Sequence, residues 1–129
     1  VGDATAIPVL GAILEDLPAT AKGTCIIEVH SEQDEQALQT QADIEFIWIY
    51  NQHPQQGSQL AHTVKKQQLP GSARAAYVAA EYSSVKEIRG YLRKEMGWNS
   101  AELYAYSYWK SGMSEDRSDS ARREEGDSV

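Results

Sequence analysis

Apolar residues near the start of the chain recur at the spacing of an α-helix. They occur three or four positions apart and therefore predict one buried helical face: Ile7, Leu10, Leu14 and Leu17. The helix is expected to run to about Asp16, because Pro18 follows and cannot continue it. Thr5 is the expected N-cap, and Pro8 falls in the first turn, where its missing N–H is no loss.

Four later runs are rich in apolar, β-branched and aromatic residues and predict strands at residues 24–29, 44–50, 75–80 and 103–109. Val1 and Gly2 have the character of the end of one more strand. A short helix is expected over residues 58–67. Ser84 and Glu87 have the spacing of a capping box, which predicts the start of a further helix. The core face of that helix would be formed by Val85, Ile88, Leu92 and Met96.

This order of elements predicts a three-layer α/β fold, a parallel sheet with helices on both faces. Ligands of such sheets bind beyond the carboxyl ends of the strands, which selects five loops: residues 2–5, 30–36, 50–53, 81–84 and 109–112. The first strand would be the innermost one, and the chain opens inside it. We therefore expect the sheet to need residues outside these 129 for full stability.

Composition and charge narrow the possible functions. A hydrophobic content of 41% and a charged content of 24% are typical of globular domains, and the net charge of −7 argues against nucleic acid or an anionic membrane as partner. The longest apolar run, residues 6–14, is shorter than the roughly 20 residues of a membrane span. Cys25 lies in an apolar run, so we expect a buried thiol and a reducing, cytoplasmic location.

Residues 1–112 are expected to form one domain. The remaining residues, 113–129, contain six acidic residues and three arginines without an apolar stripe, and predict a solvated, charged tail. The tyrosines of the last strand are expected to pack on the sheet. The scattered histidines, His30, His53 and His62, give no ligand spacing, so no metal site is predicted.

The turn at residues 2–5 is the first candidate site. Gly2 is expected to let the backbone turn sharply and let a ligand approach without a Cβ in the way. The helix that follows would direct its N-terminal N–H groups at one point, where a pyrophosphate could bind. A purely structural helix start remains the alternative.

Three stretches of the sequence resemble the motifs of one family. They are Gly-Asp-Ala-Thr-Ala-Ile-Pro at residues 2–8, Ala-Ala-Glu-Tyr-Ser-Ser-Val at 79–85 and Tyr-Ser-Tyr-Trp-Lys-Ser-Gly at 106–112. In this order and spacing they resemble the C-terminal domain of siderophore-interacting proteins, the ferric-siderophore reductases of the ferredoxin-NADP⁺ reductase-like superfamily. The resemblance implies a Rossmann-like NAD(P)H-binding domain with a truncated first strand. It also implies that FAD lies mainly in a preceding β-barrel, which these residues do not contain.

The resemblance also implies residue roles. Residues that would bind the cofactors are Gly2, Asp3, Ala4, Thr5, Ala6, His30, Tyr50, Ala80, Glu81, Tyr82, Ser83 and Trp109. Thr5 and the amides near it would hold the pyrophosphate, and Ala80 would allow close approach of the nicotinamide. Lys110 would help to hold an anionic ferric siderophore, the substrate. Hydride from NADH or NADPH would reach FAD, and its electrons would reduce Fe(III) to Fe(II). The chain alone would be inactive without the barrel.

Two other functions remain open. One is the reductase domain of a different flavin-dependent electron-transfer enzyme. The other is a non-enzymatic flavodoxin-like switch, since Asp3 and Lys110 stand near positions that such a domain would use. Against the switch, the third strand ends at Asn51 without a phospho-accepting Asp, and Glu81 stands where a hydroxyl residue is expected.

The loop after the second full strand predicts the choice of nucleotide. It carries Glu32, Asp34 and Glu35 and no arginine or lysine. A 2′-phosphate needs cations, whereas acids can accept hydrogen bonds from free ribose hydroxyls. We therefore expect NADH to be used at least as well as NADPH.

Overall fold

A computed structural model describes residues 1–112 and shows five parallel strands in the order β3-β2-β1-β4-β5. The elements are β1 (Gly2–Asp3), α1 (Ile7–Asp16), β2 (Lys22–Val29), β3 (Asp43–Tyr50), α2 (Leu60–Lys65), β4 (Ala76–Glu81), α3 (Tyr82–Gly90) and β5 (Leu103–Trp109). The charged tail predicted at residues 113–129 lies outside the described residues. The predicted α/β fold and the innermost place of β1 are confirmed.

Two apolar layers lie on opposite faces of the sheet. Ile27 of β2 packs with Leu10 and other α1 residues on one face. Its neighbour Ile26 packs with α2 and α3 on the other, against Val85 and Ile88. Successive strand residues point to opposite faces, so β2 contributes to both layers. This explains why residues 25–29 of β2 are apolar apart from Glu28.

The register of the strands aligns two carboxylates. Asp3 of β1 pairs with Glu28 of β2, and both are buried, with 8% and 5% of their surface exposed. β1 is two residues long, while β2 spans eight and β4 spans six. All strands run the same way, so the segments that follow them gather at one edge of the sheet, the carboxyl edge.

The first helix has the predicted bounds but not the predicted cap. Asp3, not Thr5, is the capping residue: its side chain accepts a hydrogen bond from the Thr5 N–H at the start of a 3-10 turn, Ala4–Ala6. At the N-cap position of α1 stands Ala6, which has no side-chain cap bond. The physical reason is that an Asp side chain readily bonds to the backbone two residues further on.

Helix α3 begins three residues earlier than expected. Its N-cap is Glu81, whose side chain accepts from the Ser83 N–H at 2.9 Å. The predicted capping box at Ser84 is therefore wrong, and Ser84 is a buried residue inside the helix. Strand β4 runs directly into α3, so no polar loop separates the two elements.

The far end of this helix also departs from the predicted pattern. A π-helical turn, Tyr91–Glu95, follows α3 and interrupts the 3.6-residue period. Leu92 remains buried, but Met96, predicted as a core residue, is 39% exposed. Trp98 packs in the core instead.

The absence of a side chain at Gly2 serves internal packing. Its φ is not positive, so the expected sharp turn that needs glycine is wrong. A Cβ there would lie 2.8 Å from the Ala79 carbonyl oxygen and 2.9 Å from both Ala6 Cβ and Leu10 Cδ1. Glycine therefore allows α1 to pack closely on β1 and β4, and the space is not available to a ligand.

Two predictions about single side chains have different outcomes. Cys25 is 6% exposed, as predicted, and burial raises the pKa of its thiol. The tyrosines of β5 pack on the sheet only in part: the Tyr106 ring lies 6.0 Å from the Tyr77 ring of β4, yet Tyr104 and Tyr106 are 51% and 44% exposed. They alternate with buried residues such as Ala105, which face α3, and therefore point to the other side of this edge strand.

Candidate functional site

The candidate site is the carboxyl edge, where two groups of residues are distinct. We call the first the strand-end cluster: Asp3, Thr5, Glu81, Trp109 and Ser111. We call the second the acidic cleft, whose lining residues are Ala4, Ile7, Val29, His30, Gln33, Asp34, Glu35 and Gln36. The turn Ala4–Ala6 lies between them, because β1 lies between β2 and β4.

Asp3 is the centre of the strand-end cluster. Its Oδ1 accepts from the Thr5 N–H at 3.0 Å and from the Thr5 hydroxyl. Its Oδ2 accepts from the Glu81 N–H at 3.1 Å and from Trp109 Nε1 at 2.8 Å. A single buried carboxylate therefore joins the ends of β1, β4 and β5.

Glu81 extends this network across the edge. Its Oε1 accepts from the Ser83 N–H, and its Oε2 accepts from the Ser111 N–H at 3.2 Å. The Ser111 hydroxyl in turn donates to the Gln55 carbonyl oxygen at 2.8 Å. The segment after β5 is thus tied both to the start of α3 and to the loop after β3.

Lys110 stands at the same edge. Its Nζ lies 4.5 Å from the centre of the Tyr82 ring, a cation–π contact, and both residues are half-buried. The contact positions a positive charge above the first turn of α3, one residue beyond Trp109.

The acidic cleft has a volume of about 440 Å³, which falls in the range of roughly 300–1,000 Å³ that is usual for small-molecule sites. Asp34 accepts from the Ser31 N–H at 3.0 Å and from the Ser31 hydroxyl at 3.1 Å, which fixes the short turn that carries it. Glu35 accepts from the Tyr50 hydroxyl, and this hydrogen bond, with a smaller part from desolvation, raises the pKa of Tyr50 to about 12. The residues that line the cleft include no arginine or lysine.

The predicted site residues divide by exposure. The exposed ones are Ala4, Thr5, His30, Tyr50 and Ser83, and the half-buried ones are Glu81, Tyr82, Trp109 and Lys110. The rest are buried: Gly2, Asp3, Ala6 and Ala80. The methyl groups of Ala6 and Ala80 are fully buried in the two opposite core layers. The side chain of Ala80 therefore points into the core, and its expected place beside the nicotinamide stays a prediction.

Sequence reasoning missed Glu28, which is, with Asp3, one of two buried carboxylates at this edge among the described residues. Its oxygens accept from Asn51 Nδ2 at 3.2 Å, the Ser58 hydroxyl at 2.6 Å and the Gln59 N–H at 3.3 Å. It thereby anchors the start of α2. The available signal was a lone charge within the apolar run at residues 25–29.

Across residues 1–112, no three His, Cys, Asp or Glu side chains are grouped so that they could hold a metal ion. In the same part of the chain, no helix has the length and apolar character needed to cross a membrane.

Five parallel strands between two apolar layers define a three-layer α/β domain, and its candidate site lies at the carboxyl edge of the sheet. The family model for siderophore-interacting proteins matches residues 1–112. The chain belongs to the siderophore-interacting protein family, and the resemblance carried by its three motifs is confirmed.

Individual relatives agree with this assignment. The chain is 32% identical over 117 residues to the ferric vibriobactin reductase ViuB of Vibrio cholerae, a match that covers 89% of this chain and 43% of the relative. The siderophore-interacting protein SipS of Aeromonas hydrophila superposes with a TM-score of 0.86 at 26% identity, covering 98% of this chain and 50% of that one. A siderophore utilization protein from T. fusca gives a TM-score of 0.81 at 24% identity, over 88% of this chain and 44% of that one. The chain therefore spans half or less of the length of each of these three relatives.

Proposed function

We propose that this chain is the NAD(P)H-binding half of an FAD-dependent reductase that reduces siderophore-bound Fe(III) to Fe(II) in the cytoplasm. The observation that carries the proposal is the 32% identity to a ferric vibriobactin reductase over 89% of the chain. The flavin, bound mainly by a preceding barrel domain, would supply the conversion between a two-electron hydride donor and a one-electron acceptor. Iron would stay on its siderophore, which holds Fe(II) more weakly.

The order of sites along the carboxyl edge supports an extended dinucleotide. Its adenosine would lie in the acidic cleft, its pyrophosphate over the turn Ala4–Ala6, and its nicotinamide beside Glu81 and Tyr82. The strand order supports this, because β1, which leads into the turn, lies between β2 and β4. The Thr5 N–H and hydroxyl both donate to Asp3, so the pyrophosphate would be held by other amides of the turn.

Charge supports roles at the two ends of the edge. Lys110 would attract the anionic ferric siderophore, with Tyr82 holding its ammonium group in place. At the other end, Glu32, Asp34 and Glu35 would repel a 2′-phosphate but could accept from ribose hydroxyls. The proposal therefore includes use of NADH at least as well as NADPH.

The test uses the full-length protein, reconstituted with FAD and kept free of oxygen. NADH oxidation and Fe(II) release to an Fe(II)-specific chelator are followed with ferric vibriobactin as the acceptor. We expect FAD to bind and about two Fe(II) to form per NADH, the electron balance of a hydride. A protein that binds no FAD would refute the proposal. NADH oxidation with other acceptors but not with ferric siderophores would instead indicate a different flavin reductase.

The role of Lys110 has its own variant pair. Lys110→Gln should raise the KM for the ferric siderophore several-fold and leave the KM for NADH unchanged. The control is Lys86→Gln, which removes an exposed lysine of α3 that is outside the candidate site. Equal effects of the two substitutions would remove Lys110 from the substrate site.

A further inference from the structure

We infer that Asp3 is a positioning residue: it does not contact the nucleotide but holds Trp109 and the Glu81 backbone in the arrangement that the reaction needs. The inference rests on the proposed function and concerns the same edge of the sheet. It changes the role of Asp3, which the family resemblance had implied to be a cofactor-binding residue.

The first argument is that Asp3 has no oxygen left over for a ligand. Its two oxygens accept four hydrogen bonds from the chain itself, and the residue is 8% exposed. Asp3 can therefore affect a ligand only through the groups whose positions it holds by these hydrogen bonds.

The second argument is that these hydrogen bonds connect residues that are far apart in the sequence. They link Asp3 to residues 78 and 106 positions away, at the ends of β4 and β5. The indole Nε1–H of Trp109 is a donor only, and an acceptor in the right place stabilises the position of its ring. Asp3 supplies it at 2.8 Å, and the same Oδ2 fixes the Glu81 amide.

The third argument is that a neutral amide could not replace the carboxylate. Both oxygens face N–H or O–H donors. An Asn at this position would present its own NH₂ group to one of these donor pairs. The Asp3→Asn variant therefore keeps the size of the side chain but removes the acceptor for the donors at one of the two oxygen positions.

Glu28 provides a matched control. It is the register partner of Asp3, is equally buried, and also accepts only from uncharged donors. Its partners lie around the start of α2 and do not include Trp109. Glu28→Gln thus perturbs a buried carboxylate in the adjacent strand without touching the strand-end cluster.

The experiment compares Asp3→Asn, Trp109→Phe, the double variant and Glu28→Gln in the full-length protein. The fluorotryptophan resonance of Trp109, assigned as the one lost in Trp109→Phe, is recorded without nucleotide. The kcat and KM for NADH are measured with a ferric siderophore. We expect Asp3→Asn to shift the Trp109 resonance and to lower kcat about tenfold with little change in KM, as for a misplaced reacting group.

The remaining variants separate positioning from general destabilisation. Trp109→Phe should lower kcat to a similar extent, and the double variant should lose little more, because the two side chains act as one unit. Glu28→Gln should leave both the resonance and kcat unchanged. An unshifted Trp109 resonance in Asp3→Asn, or additive losses in the double variant, would overturn the inference. If Asp3→Asn does not fold, an unchanged kcat in Trp109→Phe would overturn it as well.

These readouts also distinguish the two proposals. A wild-type protein without ferric-siderophore reduction refutes the proposed function. The Trp109 resonance, read without any substrate, still decides whether Asp3 positions the indole.

Discussion

The two halves of the carboxyl edge are built in opposite ways. Apart from the exposed Thr5, the strand-end cluster is buried or half-buried, and its hydrogen bonds join β1, β4 and β5 across 78 and 106 residues. The acidic cleft is exposed at His30 and Glu35, and its side-chain bonds span at most 15 residues, from Tyr50 to Glu35.

This contrast separates architecture from specificity. A change in the strand-end cluster reaches three strands at once, whereas a change in the acidic cleft alters the charge presented to a ligand and little else. Substitutions in the first half should therefore affect stability, and those in the second should affect the choice of ligand.

The largest expected effect is that of Asp3→Ala. It leaves the N–H groups of Thr5, Glu81 and Trp109 without their acceptor, which should lower the free energy of unfolding by about 3 kcal/mol. Asp34→Ala in the acidic cleft removes the exposed carboxylate that accepts from the Ser31 N–H and should cost about 1 kcal/mol. Urea unfolding of the full-length protein measures the free energy of unfolding of both variants. Equal losses of free energy would contradict the claim that the strand-end cluster contributes more to stability than the acidic cleft.

Next in size is Gly2→Ala, which overpacks the core beneath the strand-end cluster. The added Cβ would lie 2.8 Å from the Ala79 carbonyl oxygen, and we expect a loss of about 2 kcal/mol. At Gly11 of α1 a Cβ would meet only Leu38 Cδ2, at 3.7 Å. Gly11→Ala should therefore stabilise the helix by about 0.5 kcal/mol. Thermal unfolding of the two variants checks the pair, and a stable Gly2→Ala protein would contradict the packing described here.

A change of specificity is expected in the acidic cleft. Glu35→Arg supplies a cation that can bind a 2′-phosphate, so it should raise kcat/KM for NADPH relative to NADH about tenfold, or roughly 1.4 kcal/mol. The free energy of unfolding should change little. Glu45→Arg makes the same charge change on exposed β3, outside the cleft lining, and should leave the ratio as in wild type. A wild-type protein that prefers NADPH by more than about tenfold would refute the assignment of the cleft.

The smallest effect concerns the Tyr50 hydroxyl. Its hydrogen bond to Glu35 raises the pKa of Tyr50 to about 12. Because the folded state favours the protonated phenol, the bond contributes below the unfolded pKa of about 10 and is lost as the pH rises through about 12. Ultraviolet titration of wild type against Tyr50→Phe isolates this phenol, and ionisation near pH 10 would contradict the bond.

The architecture could be predicted from the sequence because apolar residues recur at the spacing of the buried face of each helix and strand. The bounds of α1 and β5 follow from this pattern, and so does the edge that carries the site, since parallel strands end together. Local hydrogen bonding was harder to predict. Asp3 and Thr5 are both good caps, and only the fold decides which side chain accepts.

The sequence also could not predict the directions in which the side chains at the strand ends point. Ala80 belongs to the recognised motif, yet its register in β4 points the methyl group into the core. Glu28 belongs to none of the three recognised motifs, yet its carboxylate accepts hydrogen bonds from residues at the start of α2. Both outcomes depend on which helix packs over which face, and the spacing of residues in the sequence does not show that.

The most direct test of the account is a map of nucleotide contacts on the full-length protein. Amide resonances are followed by NMR during titration with NAD⁺. The account predicts shifts at residues 4–5, 30–36 and 82–83 along the carboxyl edge, and none at Lys22, Ala76 and Leu103, where the strands begin. Shifts confined to the amino edge, or none at saturating NAD⁺, would contradict the claim that this edge binds the pyridine nucleotide.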